Sequence, residues 1–235
     1  MTDAEDLDGL VRRVDPDRWL ASRFVADPGR RAALIALYGL NHELARAPEA
    51  ASQPLIAEMR LTWWREAVEE IFEGRPVRAH PVAQALAAAV RDAALPREPL
   101  EALAEARLRD VEGWPLRPEE VEPYVDATAG RLMALAVRAL DPAADPHAIR
   151  GAARAWGLAG LSRIGRLPAD WSAADVRARV ADALGAARRE LGALPVQAFP
   201  AAAYAALSRP YARGEAPGEL GKRARITLAV ARGRI

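Results

Sequence analysis

Apolar residues recur along this chain at spacings of three and four, and prolines and glycines cut the pattern into helix-length pieces. Asp17 to Val25 reads as a short helix. Asp27-Pro28-Gly29 opens a second, with Asp27 as N-cap and Pro28 in the first turn, running to about Ala47. A third runs from Pro54 to Phe72 and stops near Gly74 and Pro76, a fourth fills Pro81 to Ala94, and a fifth covers Arg97 to Glu112. A sixth spans Pro118 to Leu140 and a seventh Asp145 to Ile164. An eighth begins at the N-cap Ser172 and reaches Leu191. Two weaker helices follow, Pro200 to Ala212 and Pro217 to Ala231. No strand-like alternation exceeds four residues, no repeat appears, and the linkers are short. The pattern predicts an all-α protein with one domain over 1–235.

Composition sharpens this picture. Of 235 residues, 51% are hydrophobic but only 6% aromatic, because alanine fills much of the apolar fraction. Alanine favours helices that pack closely. A net charge of +1 does not mark a nucleic-acid binder. Cysteine is absent, which removes disulfides, thiolate metal sites and cysteine nucleophiles. The stretch from Met1 to Asp8 is acidic without an apolar core, and no apolar run approaches the roughly 20 residues that span a bilayer. These features lead to the expectation of a cytoplasmic protein. The charge shifts only at the end. From Arg209 to Ile235 there are seven cations against two acids. Within that stretch Leu220, Ala224, Leu228 and Ala231 form a mildly apolar helix face that suits peripheral contact with a membrane surface.

Candidate chemistry is sparse. There is no glycine-rich phosphate loop, no GxSxG elbow and no zinc-type histidine spacing, since His42, His80 and His147 sit in separate segments. On the second helix Leu34, Leu37, Tyr38 and Leu44 make an apolar stripe, and Asn41 falls on it with Glu43 near its edge. Such an amide either bridges two helices or lines a cavity as a polar spot. If it is structural, Asn41→Asp is expected to bury an unpaired charge and destabilise the fold. On the third helix Met59, Trp63, Ala67 and Ile71 form one face, and Leu61, Trp64, Val68 and Phe72 another. That pattern predicts a helix buried on both sides. Arg60, one turn from the indoles, either stacks on them, meets a buried acid or contacts an anionic ligand. Tyr124 and Thr128 belong to the sixth helix. Gly157 and Gly160 on the seventh fit either tight helix packing or a wall that leaves room for a long apolar ligand.

Asp17-Arg18-Trp19-Leu20, Arg31 to Arg46 (RAALIALYGLNHELAR), Met59 to Gly74 (MRLTWWREAVEEIFEG), His80-Pro81-Val82 and Tyr124 to Leu135 (YVDATAGRLMAL) resemble the squalene/phytoene synthase family in order and spacing. The resemblance runs from about Asp15 to Leu207. It implies an isoprenoid-synthase-type helical bundle around a central cavity. Enzymes of the family join two prenyl diphosphates head to head. Two pairs of aspartates hold magnesium against the diphosphate, because magnesium takes oxygen ligands and carboxylates one turn apart present two on one face. Asn41 and Ala45 stand where the first pair is expected, and Ile164 and Pro168 where the second is. Arg163 and Arg166 remain there to face an anion.

Leu40 to Ala45 (LNHELA), Met59 to Trp64 (MRLTWW) and Leu194 to Ala201 (LPVQAFPA) are similar to the branch of this family that assists assembly of respiratory complex I. That resemblance implies a non-catalytic assembly or scaffolding factor with no cofactor. Its partners would be subunits of a membrane complex or a prenyl lipid, met peripherally at the inner membrane. The alternative is an active prenyltransferase, with magnesium held by Glu43 and Asp126 or Asp110. A third reading is a carrier of an isoprenoid or quinone. Residues expected to line the cavity are Tyr38, Asn41, Glu43, Arg60, Trp64, Tyr124, Thr128, Gly157, Gly160 and Arg163.

Overall fold

The computed structural model describes residues 3–51 and 53–235, with side chains from residue 7 onward apart from residue 52. Met1 and Thr2 of the acidic N-terminal stretch lie outside them. The described residues form helices and connecting turns without a strand. They fall into two compact units, 1–113 and 114–235.

The first unit holds α1 (Asp3–Val14), α2 (Pro16–Ser22), α3 (Pro28–Glu49), α4 (Pro54–Phe72), α5 (Pro81–Ala93) and α6 (Arg97–Ala106). Helix α3 is its axis. Every residue from Ala33 to Leu40 is buried, because α1, α4 and α5 all pack on it. A methyl group at Gly39 would come within 3.0 Å of Leu7 and 3.4 Å of Val82, so the glycine sets how closely these helices approach. The expected N-cap is present, with Asp27 Oδ1 accepting from the Arg30 amide at 2.7 Å. Helix α1 is an element the sequence reading missed, although Leu7, Leu10, Val11 and Val14 stand at helical spacing. It buries Leu7 and Val11 and is tied to α2 by Asp8, which accepts from the Trp19 indole at 2.9 Å and from Arg23 at 2.7 Å.

Two expectations are corrected here. The fifth helix stops at Ala106 and continues as a 3₁₀ segment over Arg107–Glu112. There the Arg107 side chain turns inward to ion-pair with Asp110. Helix α4 is not buried on both sides. Ala57, Leu61, Trp64, Ala67 and Val68 face the core, whereas Met59 on the other face is 63% exposed. Of the second apolar stripe, Ala67 is buried, Trp63 and Ile71 are half-buried, and Met59 is left outward.

Behind α4, Arg78 donates to Glu66 and Glu70 and lies 4.7 Å from the Trp63 ring. This pairing lowers the Glu70 carboxyl below its ordinary value, chiefly through the hydrogen bond from Arg78. A carboxyl whose folded pKa is depressed stabilises the fold above its unfolded pKa and loses that contribution as pH falls through the folded value. Melting curves of wild type and Arg78→Gln are therefore expected to differ at neutral pH and to converge in acid. A difference that persists at low pH would place the contribution in packing against Trp63 instead.

The second unit holds α7 (Pro118–Val125), a π-turn over Asp126–Gly130, α8 (Arg131–Leu140), α9 (Arg150–Arg163), α10 (Ala173–Glu190), α11 (Pro200–Ala203), α12 (Ser208–Ala212) and α13 (Glu219–Arg232). The expected sixth helix is continuous in direction but widens at the π-turn. There the buried Thr128 hydroxyl donates to the Tyr124 carbonyl at 2.7 Å and competes with the backbone ladder. Helices α9 and α10 form the tightest pair. Ser172 caps α10 in a reciprocal pair with Asp175. Helix α13 packs through Ile226 and Ala229, not through the Leu220–Ala231 stripe, which is turned outward with Leu220 82% exposed.

Candidate functional site

In the first unit the apolar stripe of α3 ends in a polar cluster. Tyr38 is fully buried, with the Arg18 guanidinium carbon 5.9 Å from its ring. One turn on, the Asn41 carbonyl oxygen accepts from Arg107 Nη2 at 3.1 Å. The same guanidinium donates through Nη1 to buried Asp110 at 3.3 Å. The Asn41 amide thus bridges α3 to the 3₁₀ segment, one of the two roles its position allowed. Arg107 is the residue that sequence reasoning missed. It lies 66 positions from Asn41, and no local pattern links them.

Glu43, Arg60 and Trp64 come together in one place, an open groove of about 520 Å³ between α3, α4 and His80. Ile56, Met59, Trp63 and Trp64 supply its apolar wall, and Arg46 and Arg60 its cations. Trp64 meets Trp63 and His80 edge to face, each at 4.9 Å. His80 is further fixed because its Nδ1 accepts from the Val82 amide at the start of α5. Glu43 lies 3.9 Å from Arg46. Arg60 is exposed and makes no ion pair among the described residues. The groove has edge-to-face packed aromatic rings on one side and is open to solvent on the other.

The second unit gathers Tyr124, Thr128 and Gly157 around the π-turn. Tyr124 is buried edge to face against Trp114 at 5.6 Å, and a methyl at Gly157 would overlap Val125. Gly157 therefore serves tight helix packing. Gly160 has open space within 4 Å of where its Cβ would stand and does not. Arg163 is exposed and lies 4.1 Å over the Tyr211 ring, and Arg166 lies 4.3 Å over Trp114. Asp126 is held by two hydrogen bonds from Arg154, at 2.9 and 2.7 Å. Each of Glu43, Asp110 and Asp126 therefore has an arginine of its own unit beside it.

Among the described residues no three histidine, aspartate or glutamate side chains converge as a metal site would need. No described helix is long and apolar enough to cross a membrane.

Solved structures share this fold. A dehydrosqualene synthase with bound ligand superposes with a TM-score of 0.81 over 98% of this chain and 96% of its own, at 12% identity. The squalene synthase HpnC from Alicyclobacillus acidocaldarius gives 0.69 over 98% and 94%, at 19% identity. These likenesses establish an isoprenoid-synthase-type helical fold. Among curated proteins, "NADH dehydrogenase (ubiquinone) complex I, assembly factor 6" of Mus musculus is 30% identical over 132 residues, which is 56% of this chain and 39% of that protein. Its Drosophila melanogaster homolog is 30% identical over 162 residues, 66% of this chain and 48% of that protein. The matched region spans less than half the length of these relatives. The family model described as squalene/phytoene synthase matches residues 11–166. With two thirds of its length inside that match, the chain belongs to the squalene/phytoene synthase family.

Proposed function

We propose that this chain is a non-catalytic member of its family that acts as an assembly or scaffolding factor for respiratory complex I, working at the inner membrane and needing no magnesium. The observation that carries the reading is the guanidinium of Arg107 against Asn41. Ionising a prenyl diphosphate requires carboxylates that hold magnesium against the leaving group. At this end of α3 a fixed cation stands against an amide and against a buried acid, Asp110. Those residues do not fit a magnesium clamp. The printed names of the relatives support the same reading, and the groove beside α4 offers a place for a partner segment.

Calorimetric titration of geranylgeranyl diphosphate, with and without magnesium, tests it. The expected result is no binding, or weak binding that ignores magnesium. Tight binding that requires magnesium would overturn the proposal and make the chain a prenyltransferase. Deleting the gene in the source cell is expected to lower assembled complex I on native gels. Arg60→Glu, which reverses the groove's unpaired cation, is expected to do the same without lowering the melting temperature.

A further inference from the structure

We propose that the second unit docks on an anionic lipid bilayer through the face formed by α10, α12 and α13. On α10, Arg177, Ala181, Leu184 and Arg188 recur at i, i+4, i+7 and i+11, so they line one side of the helix. Its two arginines are separated by roughly 16 Å along the axis. At one end Arg177 joins Arg209 and Arg213 around a groove of about 460 Å³. At the other, Arg188 joins Arg225 and Arg232 around a second groove of about 390 Å³. No aspartate or glutamate lines either groove. None of these six arginines makes an ion pair with a carboxylate side chain among the described residues, and Arg188 Nε donates to the Ile235 oxygen at 3.2 Å.

Elsewhere Arg78, Arg97, Arg117 and Arg154 each meet at least one acid, whereas these six gather around two grooves that no aspartate or glutamate lines. A solvated surface ordinarily mixes the two signs, so a face of one sign is a field that attracts anions. The leucines decide which anion. Leu228 is 48% exposed and lies between Arg225 and Arg232, three residues after one and four before the other. Leu220 on the same helix is 82% exposed. A nucleic acid would use the arginines and leave the leucines in water, and binding to soluble polyglutamate tells an acidic protein from a bilayer. The boundary between headgroups and acyl chains takes both at once. This surface shares no residue with the α4 groove, and its test needs no partner protein.

Co-sedimentation of the whole chain with equimolar phosphatidylcholine–phosphatidylglycerol vesicles tests the proposal, with pure phosphatidylcholine vesicles as comparison. Binding is expected only to the anionic vesicles and is expected to weaken with salt. Each arginine removed should cost roughly fivefold, so Arg177→Gln, Arg209→Gln and Arg213→Gln together should cost about a hundredfold. Leu228→Gln should cost about tenfold. All four positions are solvent-facing, so melting temperatures should hold. If the triple variant melts early, Arg213→Gln alone still reads the fivefold effect. Equal binding to neutral vesicles, or undiminished binding by the arginine variants, would overturn the proposal. So would an inert Leu228→Gln combined with tight binding to soluble polyglutamate, which would make the partner an acidic protein.

Discussion

Gly151→Ala is expected to be the most damaging single methyl group in this chain, lowering the stability of the second unit by about 3 kcal/mol. The added Cβ would overlap the Ala187 nitrogen and lie 2.7 Å from the Ala183 carbonyl oxygen and 3.0 Å from the Ala186 carbonyl carbon. All three are backbone atoms of α10, so no rotamer change relieves the clash, and α9 and α10 must move apart as rigid rods. That contact is the most extensive between helices in the unit. Two other glycines of α9 calibrate the effect. A methyl at Gly157 would overlap Val125, whose branched side chain is stiff in a helix, so a loss of about 1–2 kcal/mol is expected. Gly160 faces open space, and Gly160→Ala should gain up to about 1 kcal/mol from helix propensity. Urea denaturation of the three variants checks the order. If Gly151→Ala is as stable as wild type, the α9–α10 spacing described here is wrong.

The same three glycines mark the limit of what the sequence discloses. Gly157 and Gly160 attract attention because they sit three apart inside an apolar run, yet Gly151, at the start of the helix, has the closest approach. Periodicity identifies a face, and only the neighbour's backbone decides whether a Cβ fits there. Helix positions were legible for a plainer reason. Asp27-Pro28, His80-Pro81 and Ser172 are start signals with their own chemistry, and each begins a helix where expected. The all-α class and the family were legible in the order of the motifs. Helix α1 was legible too, since Leu7, Leu10, Val11 and Val14 recur at i, i+3, i+4 and i+7, but no proline or glycine marks its start, and the expected helices leave it out. At the start of α4 burial was overestimated because an apolar pattern records what a residue dislikes, not what covers it. Leu55 and Met59 there are each 63% exposed.

The polar cluster on α3 was half legible. Asn41 on an apolar stripe announces a need for a partner, but the partner is a long side chain from a segment that the pattern extended as α-helix. Knowing it reverses one expectation. Asn41→Asp loses its threat as a lone buried charge, because the new carboxylate would face Arg107 Nη2 where the amide oxygen now accepts. The melting temperature should change little, and magnesium should leave it unchanged.

Arg107→Met, by contrast, is expected to destabilise the first unit by about 3 kcal/mol. The guanidinium side chain is 12% exposed and Asp110 is 2% exposed, so this is a buried ion pair and not a solvated one. Removing the cation takes from the buried Asp110 the charge that compensates it, and it removes the donor to Asn41 as well. Methionine keeps much of the hydrocarbon volume, so the loss reports charge and hydrogen bonding more than an emptied space. The double variant Arg107→Met with Asp110→Leu separates the two. With both charges gone and volume kept, most of the stability should return, because a well-packed apolar pair often matches a buried ion pair. Recovery would make the cluster a device of packing and orientation, as the scaffold reading requires. A double variant that stays as unstable as the single one would mean that the Asn41–Arg107 bond itself holds α3 to the 3₁₀ segment.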